Sequence, residues 1–247
     1  MEETALGGGA INAVVRIGET VRRTPTAPEQ AAFVTGLLAL FERRGWSGAP
    51  RFLGTDERGR EVFQYIEGRA AVTPDERSAA RTDDSLVRVA QLVRVFHDLT
   101  HGTPQAGDQD VVCHNDLAPK NTVYDSAWHP VAFVDWDLAA PGERVHDVAH
   151  VCWQFLDLGP GITDVTGTAR RIALICEAYG LDEVDGTGRL LDTVLWWQDR
   201  CRRGIEAGAA RGERGMVGLR ASGVVDEIRD AYDWVAAHRR ELGAFLG

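Results

Sequence analysis

The sequence predicts an α+β chain in two unequal parts: a small β-rich unit with one helix over residues 1–66, and a larger, mainly helical part over 67–247. Three observations carry this. Strand–turn–strand patterns occur twice before residue 66. Apolar residues recur at helical spacing from residue 83, and again almost without a break after 145. Between those helical stretches lie three short apolar runs of strand length. With 247 residues the chain is long enough for two lobes that share a cleft.

The first unit opens with Gly7, Gly8, Gly9 and Asn12, then the β-branched run Val14, Val15, Arg16, Ile17, a Gly18-Glu19 turn and a second strand, Thr20, Val21, Arg22, Arg23. Pro25 and Pro28 end that pairing. Phe33, Leu37, Leu40 and Phe41 then fall at helical spacing within 29–44, and Gly45 closes the helix. Arg51 to Gly54 and Glu61 to Ile66 read as two further strands about a polar turn, Asp56 to Gly59. Leu86, Val89, Ala90, Val93, Phe96 and Thr100 share one face of a helix that should be central and buried, with Asp83 or Asp84 as its N-cap and Gly102 past its end. Strands are expected at 111–113, 122–124 and 131–134, and helices near 145–157, 168–179, 188–207 and 224–242. The Gly-rich stretches 159–167 and 204–223 read as loops.

Composition narrows the function. Hydrophobic residues make up 44% and charged residues 26%, the balance of an ordinary globular protein. The net charge of −10, nearly all of it after residue 68, argues against nucleic acid or an anionic membrane as partner, because binding phosphate backbones needs clustered positive charge. A cationic small molecule would suit such a field. Cys113, Cys152, Cys176 and Cys201 are scattered, without a CxxC pair, and read as buried small hydrophobes in a reducing compartment. Met1-Glu2-Glu3 lacks the positive start of a secretory signal, and no apolar run approaches the ~18 residues of a membrane span, so a cytoplasmic protein is expected.

The chemistry concentrates between Val111 and Asp147, in VVCHNDLAPKNTVYDSAWHPVAFVDWDLAAPGERVHD. A short strand delivers His114, Asn115 and Asp116; Asn121 opens the next strand; the apolar run Val131 to Val134 ends in Asp135-Trp136-Asp137. Three oxygen-bearing side chains, Asp116, Asn121 and Asp135, therefore sit at strand ends around one hairpin. Phosphoryl transfer asks for such a set, since there the protein mainly positions reactants and neutralises phosphoryl oxygens. Carboxylate and amide oxygens suit magnesium, which Asn121 and Asp135 can supply together with nucleotide phosphates. Asp116 is then free to accept or orient the acceptor's hydroxyl proton, and His114 to lock the loop by hydrogen bonds.

The pattern H-x-D-x-x-x-x-N, followed by an apolar strand ending in D-W-D, resembles the catalytic and metal-binding segments of the aminoglycoside phosphotransferase-like family, which has the protein-kinase-like fold. The resemblance implies a bilobal chain: a nucleotide-binding N-terminal lobe over 1–66, a hinge near 64–68, and a catalytic and acceptor-binding lobe over 67–247. It implies Asp116 as catalytic base, with His114 in the same catalytic loop, and Asn121 and Asp135 as magnesium ligands. Trp136 stands where protein kinases have Phe, and Asp147 resembles the buried Asp that braces the catalytic loop. Gly7, Gly8 and Gly9 would belong to the Gly-rich loop over ATP or GTP.

One departure is prominent. Lys120 is the chain's single lysine, against 26 arginines, and it lies inside the catalytic loop. The position that clamps the α and β phosphates is therefore filled by Arg22 or Arg23, or vacant, and Glu29 is the acidic candidate near the start of the first helix to pair with it. The implied activity is transfer of the γ-phosphoryl group to a hydroxyl of a small, cationic, aminoglycoside-like acceptor. The alternative is a kinase-like binding module, impaired in catalysis, serving in regulation or in immunity to a toxin or antibiotic.

Overall fold

The computed structural model describes residues 3–6, 14–182 and 186–246, so Gly7, Gly8 and Gly9 lie outside the described residues. Five short strands build one antiparallel sheet: β1 (Thr4–Ala5), β2 (Val15–Ile17), β3 (Thr20–Arg23), β4 (Phe52–Thr55) and β5 (Glu61–Gln64), in the spatial order β1-β2-β3-β5-β4. The Gly18-Glu19 turn joins β2 to β3, as its φ-positive glycine suggests. Between β3 and β4 runs helix α1 (Pro28–Arg43), which starts on a proline and buries Val34, Leu37, Leu38, Leu40 and Phe41.

The larger part is built from α2 (Pro74–Ala79), α3 (Asp83–Thr100), α4 (Arg144–Leu156), α5 (Val165–Tyr179), α6 (Leu190–Ala210), α7 (Arg214–Ala221) and α8 (Val224–Leu242). Helix α3 is central: Leu86, Val89, Val93 and Phe96 are fully buried. Its N-cap is Thr82, whose hydroxyl accepts the Ser85 N–H at 3.2 Å, not Asp83 or Asp84. Two strand pairs lie against the helices: β6 (Val111–Cys113) with β9 (Ala140–Gly142), and β7 (Thr122–Tyr124) with β8 (Pro130–Phe133). Among the described residues no helix is long and apolar enough to cross a membrane.

Three elements depart from the sequence reading. The Gly-rich stretch 204–223 is largely helical, not a loop: α6 runs to Ala210, and α7 occupies most of the remainder. Gly208 makes that possible by close approach, since a Cβ there would lie 2.5 Å from Met216 Cγ and 2.8 Å from Glu213 Oε2. Helix α2 begins with a capping box, the Thr73 hydroxyl accepting the Glu76 N–H while the Glu76 carboxylate accepts the Thr73 N–H. Strand β9 has proline in the middle, Ala140-Pro141-Gly142, which sequence pattern alone does not mark as a strand.

Several contacts position the sheet unit and the chain just beyond it against the helical part, among them Phe133 N–H donating to Gly48 O at 2.8 Å. Beyond β5, Gly68 adopts φ +148° where a Cβ would lie 2.5 Å from the Tyr124 carbonyl oxygen, and Arg69 then exchanges two backbone hydrogen bonds with Tyr124 at 3.0 and 2.8 Å. Trp136, 2% exposed, packs on Phe41 of α1 and Phe96 of α3, each at 5.2 Å between ring centroids, and on His114 at 4.5 Å. Its indole N–H donates to Phe133 O at 3.0 Å, so the large apolar wedge carries its polar group into the interior satisfied.

Candidate active site

The loop 114–121 is shaped by the backbone as much as by side chains. Asn115 and Asp135 both adopt left-handed conformations, with φ of 64° and 65°. Asn and Asp tolerate that region better than most residues, yet such positions persist only where their surroundings hold them. Five hydrogen bonds hold the loop around them. The buried carboxylate of Asp147, near the start of α4, accepts the main-chain N–H of His114 at 2.7 Å and of Asn115 at 2.9 Å. The Asn115 side-chain amide donates to Leu138 O at 2.9 Å. His114 Nε2 lies 3.1 Å from Val134 O, while its Nδ1 accepts the Asp116 N–H at 3.3 Å. These two partners together require the ring tautomer with the proton on Nε2. His114 thus ties the loop carrying Asp116 to the strand end carrying Asp135, a hydrogen-bonding lock.

Asp147 is itself held. His97 Nε2 lies 3.1 Å from its Oδ2, and His97 Nδ1 lies 2.7 Å from the Tyr179 hydroxyl. Burial alone would push the Asp147 carboxyl up, but the His97 contact, the nearby His114 and the Asn115 N–H outweigh it and hold it below the ordinary carboxylate value. His97, Cys113 and Asp147 place potential ligand atoms within 4.8 Å of one another. All are engaged in hydrogen bonds, Cys113 Sγ to Glu143 O at 3.3 Å, so the trio braces the start of the loop.

Asp116 and Asn121 come together. The Asn121 amide N donates to Asp116 O at 2.9 Å and to Asp116 Oδ2 at 2.7 Å. That orientation commits both amide hydrogens to Asp116 and leaves the Asn121 carbonyl oxygen for another partner. Lys120 Nζ stands 4.0 Å from the same Asp116 oxygen. Behind the loop, His150 Nδ1 meets Leu117 O at 2.9 Å; burial holds that imidazole below its ordinary value, so it donates as a neutral ring. Burial, and after it the charge of Asp116, push the thiol of Cys201 on α6 up to about 11.

Asp135 is half exposed, and beside it Asp137 is largely buried. Burial pushes the Asp137 carboxyl up, Arg23 opposes this, and the charge of Asp135 adds to it. Of the two arginine candidates, Arg23 faces this turn: its guanidinium pairs with Asp137 Oδ1 at 2.5 Å and Asp135 Oδ1 at 3.6 Å. Arg22 points elsewhere, to Asp56 at 3.4 Å and the Thr20 hydroxyl at 2.7 Å, as alternation along a strand requires. The expected partner Glu29 is exposed, and within its own sheet Arg23 pairs with Glu61 on β5, at 3.0 Å. Helix α1 contributes Gln30 instead, whose amide N donates to Asp137 O and Ala139 O, both at 2.9 Å.

A sheet unit with one helix, a helical lobe, and an H-x-D-x-x-x-x-N loop facing a D-W-D turn define the class: a bilobal, α+β kinase-like chain. Within that class, a model of the phosphotransferase enzyme family matches residues 102–185, the segment that holds the loop and the turn, and the resemblance to aminoglycoside phosphotransferase-like proteins is thereby borne out. The chain is 28% identical to the trifolitoxin immunity protein of Rhizobium leguminosarum bv. trifolii, over 99% of each chain. Among solved structures, it resembles a choline/ethanolamine kinase family protein of Mesorhizobium loti with a TM-score of 0.63 at 17% identity, covering 99% of this chain and 90% of that one. An aminoglycoside phosphotransferase of Streptomyces rimosus, in complex with ADP and streptomycin, matches with a TM-score of 0.55 at 18% identity, over 78% of this chain and 92% of that one.

Proposed function

We propose that this chain transfers the γ-phosphoryl group of ATP, or of GTP, to a hydroxyl of a small cationic acceptor, with the nucleotide between an N-terminal lobe ending near residue 66 and the rest of the chain. The observation that carries this reading is the pairing of Asn121 with Asp116, which fixes the carboxylate at 2.7 Å and turns the amide nitrogen, not the amide oxygen, toward it. Asp116 is the group that accepts or orients the acceptor's proton, and Asn121 holds it in one rotamer. Lys120, 4.0 Å away, adds positive charge on the acceptor side of the loop.

The donor set fits a magnesium ion: one free amide oxygen on Asn121 and the half-exposed carboxylate of Asp135, both hard oxygen ligands. When bound, the ion supplies neutralisation of charge on the phosphoryl oxygens. Arg23 takes the phosphate-clamping place otherwise held by lysine, and its planar fork can bind phosphate through two N–H groups. The acidic balance of the chain beyond residue 68 favours a cationic acceptor such as an aminoglycoside, amino sugar or amino alcohol. Incubation with ATP or GTP, magnesium and a panel of these compounds, read by mass spectrometry, tests the reading. Gain of one phosphate by a panel member is expected; no gain on any of them would overturn it.

A second reading has its own support. The relative named as an immunity protein matches this chain over nearly its whole length, and a kinase-like chain that binds without transfer could serve such a role. Magnesium-dependent ATP binding without phosphoryl transfer to any acceptor would favour it. Turnover abolished by Asp116→Ala would exclude it.

A further inference from the structure

Arg23 has carboxylates on two sides. Across the gap it meets Asp135 and Asp137 of the D-W-D turn, at 3.6 and 2.5 Å. Within its own sheet it meets Glu61, Nε to Oε2 at 3.0 Å, and the guanidinium carbon lies 4.8 Å from the centroid of the Phe63 ring. Glu61 stands directly opposite Arg23 in the register of β3 and β5, and it is only 5% exposed. Directly opposed residues of an antiparallel pair keep their Cβ atoms about 5 Å apart whatever the neighbouring elements do. The Glu61 contact is thus fixed by the sheet, whereas the Asp135 and Asp137 contacts span from the sheet to a separate turn.

We propose that Glu61 is the positioning residue of the phosphate clamp, holding Arg23 from within the sheet in place of an acid from helix α1. This rests on the proposed nucleotide site. A polyphosphate entering between sheet and turn competes for Arg23 with Asp135 and Asp137, because all three are anions on the far side of the gap. It does not compete with Glu61, whose buried carboxylate approaches from the sheet side. Glu61 therefore keeps the guanidinium in place while its other partners exchange, and it draws Arg23 away from the carboxylate intended for the metal. Without Glu61 the guanidinium keeps its positive charge and only the turn carboxylates remain as partners, so Arg23 becomes a stronger competitor for Asp135.

The test is binding of ATP at a series of magnesium concentrations, followed by calorimetry and by thermal shift, with wild type, Glu61→Gln and the double variant Glu61→Gln/Arg23→Gln. Loss of one charge-assisted contact predicts roughly tenfold weaker ATP binding for Glu61→Gln, together with a several-fold higher magnesium midpoint. The double variant should return the magnesium midpoint toward wild type while ATP binding stays weak, a split that a merely structural role of Glu61 would not produce. Wild type that binds ATP with magnesium, alongside Glu61→Gln with unchanged affinity and unchanged magnesium midpoint, overturns the role of Glu61 and leaves the nucleotide site standing. Wild type that binds neither ATP nor GTP overturns both.

Discussion

The carboxylate of Asp147 accepts the main-chain N–H of His114 at 2.7 Å, from a helix 33 residues further along the chain. With its other oxygen on the Asn115 N–H, it cradles the turn that gives Asn115 its left-handed backbone and aims Asp116 toward Asn121. The same oxygen that meets His114 also meets His97 on α3, so one fully buried side chain joins α3, α4 and the loop 114–121.

Removing this junction should be expensive. Asp147→Ala leaves the His114 and Asn115 N–H groups and the His97 ring without their acceptor in a buried place, and a loss of about 2–5 kcal/mol is expected. Urea unfolding followed by tryptophan fluorescence measures it. A loss under about 0.5 kcal/mol, the level of an ordinary surface change, would contradict the brace.

The same group gives a pH dependence. Its folded value lies below the ordinary one, so the unfolded chain binds the proton more readily, and the stabilisation is fully present above the unfolded value near about 3.9 and is lost as pH falls through the lower folded value. The unfolding midpoint of wild type should therefore fall more steeply below about pH 4 than that of Asp147→Asn, which cannot titrate there. Parallel curves for the two proteins would contradict the depressed carboxylate.

Gln30 connects α1 to the turn bearing Asp135 through two donated hydrogen bonds. Gln30→Ala should cost about 1–2 kcal/mol of stability and lower transfer or nucleotide binding, because the acceptors Asp137 O and Ala139 O flank Leu138 at the end of that turn. Gln30→Glu, of similar length but without the amide donors, should not restore binding. Calorimetry with ATP and magnesium distinguishes the cases.

Gly208 permits the contact of α6 with α7. Gly208→Val would force Met216 and Glu213 aside, and overpacking of this kind costs about 1–3 kcal/mol. At Gly204 an added Cβ would meet none of the described residues within 4 Å, so alanine should be accepted with unchanged or slightly raised stability, since alanine favours a helix interior. In thermal melts Gly208→Val should fall below wild type while Gly204→Ala stays level with it or rises.

Much of this architecture was legible in residue order. The β-branched runs and the Gly18-Glu19 turn located β2 and β3, and the 86, 89, 93, 96 spacing located α3 and its buried face. The illegible parts have identifiable causes. A proline and a glycine in three residues conceal β9, whose strand character comes from pairing with β6. The glycines at 204, 208, 212, 218 and 223 suggest a loop, yet several sit inside helices because tertiary packing overrides their low helix propensity. The capping signature at Thr73 to Glu76 was present and would have located α2.

By itself, the sequence determined which atoms are available for chemistry: the acid, amide and acid at 116, 121 and 135, spaced by short strands whose ends must lie near one another because a tight hairpin joins them. It also determined that an arginine, and no lysine, stands at the end of β3. Only the tertiary structure decided that Arg23 and not Arg22 faces the D-W-D turn, that Glu61 and not Glu29 holds it, and that Gln30 ties α1 to that turn. Those choices depend on strand register and on how a helix packs against a sheet. They are set by contacts between residues distant in the chain, which local periodicity does not encode.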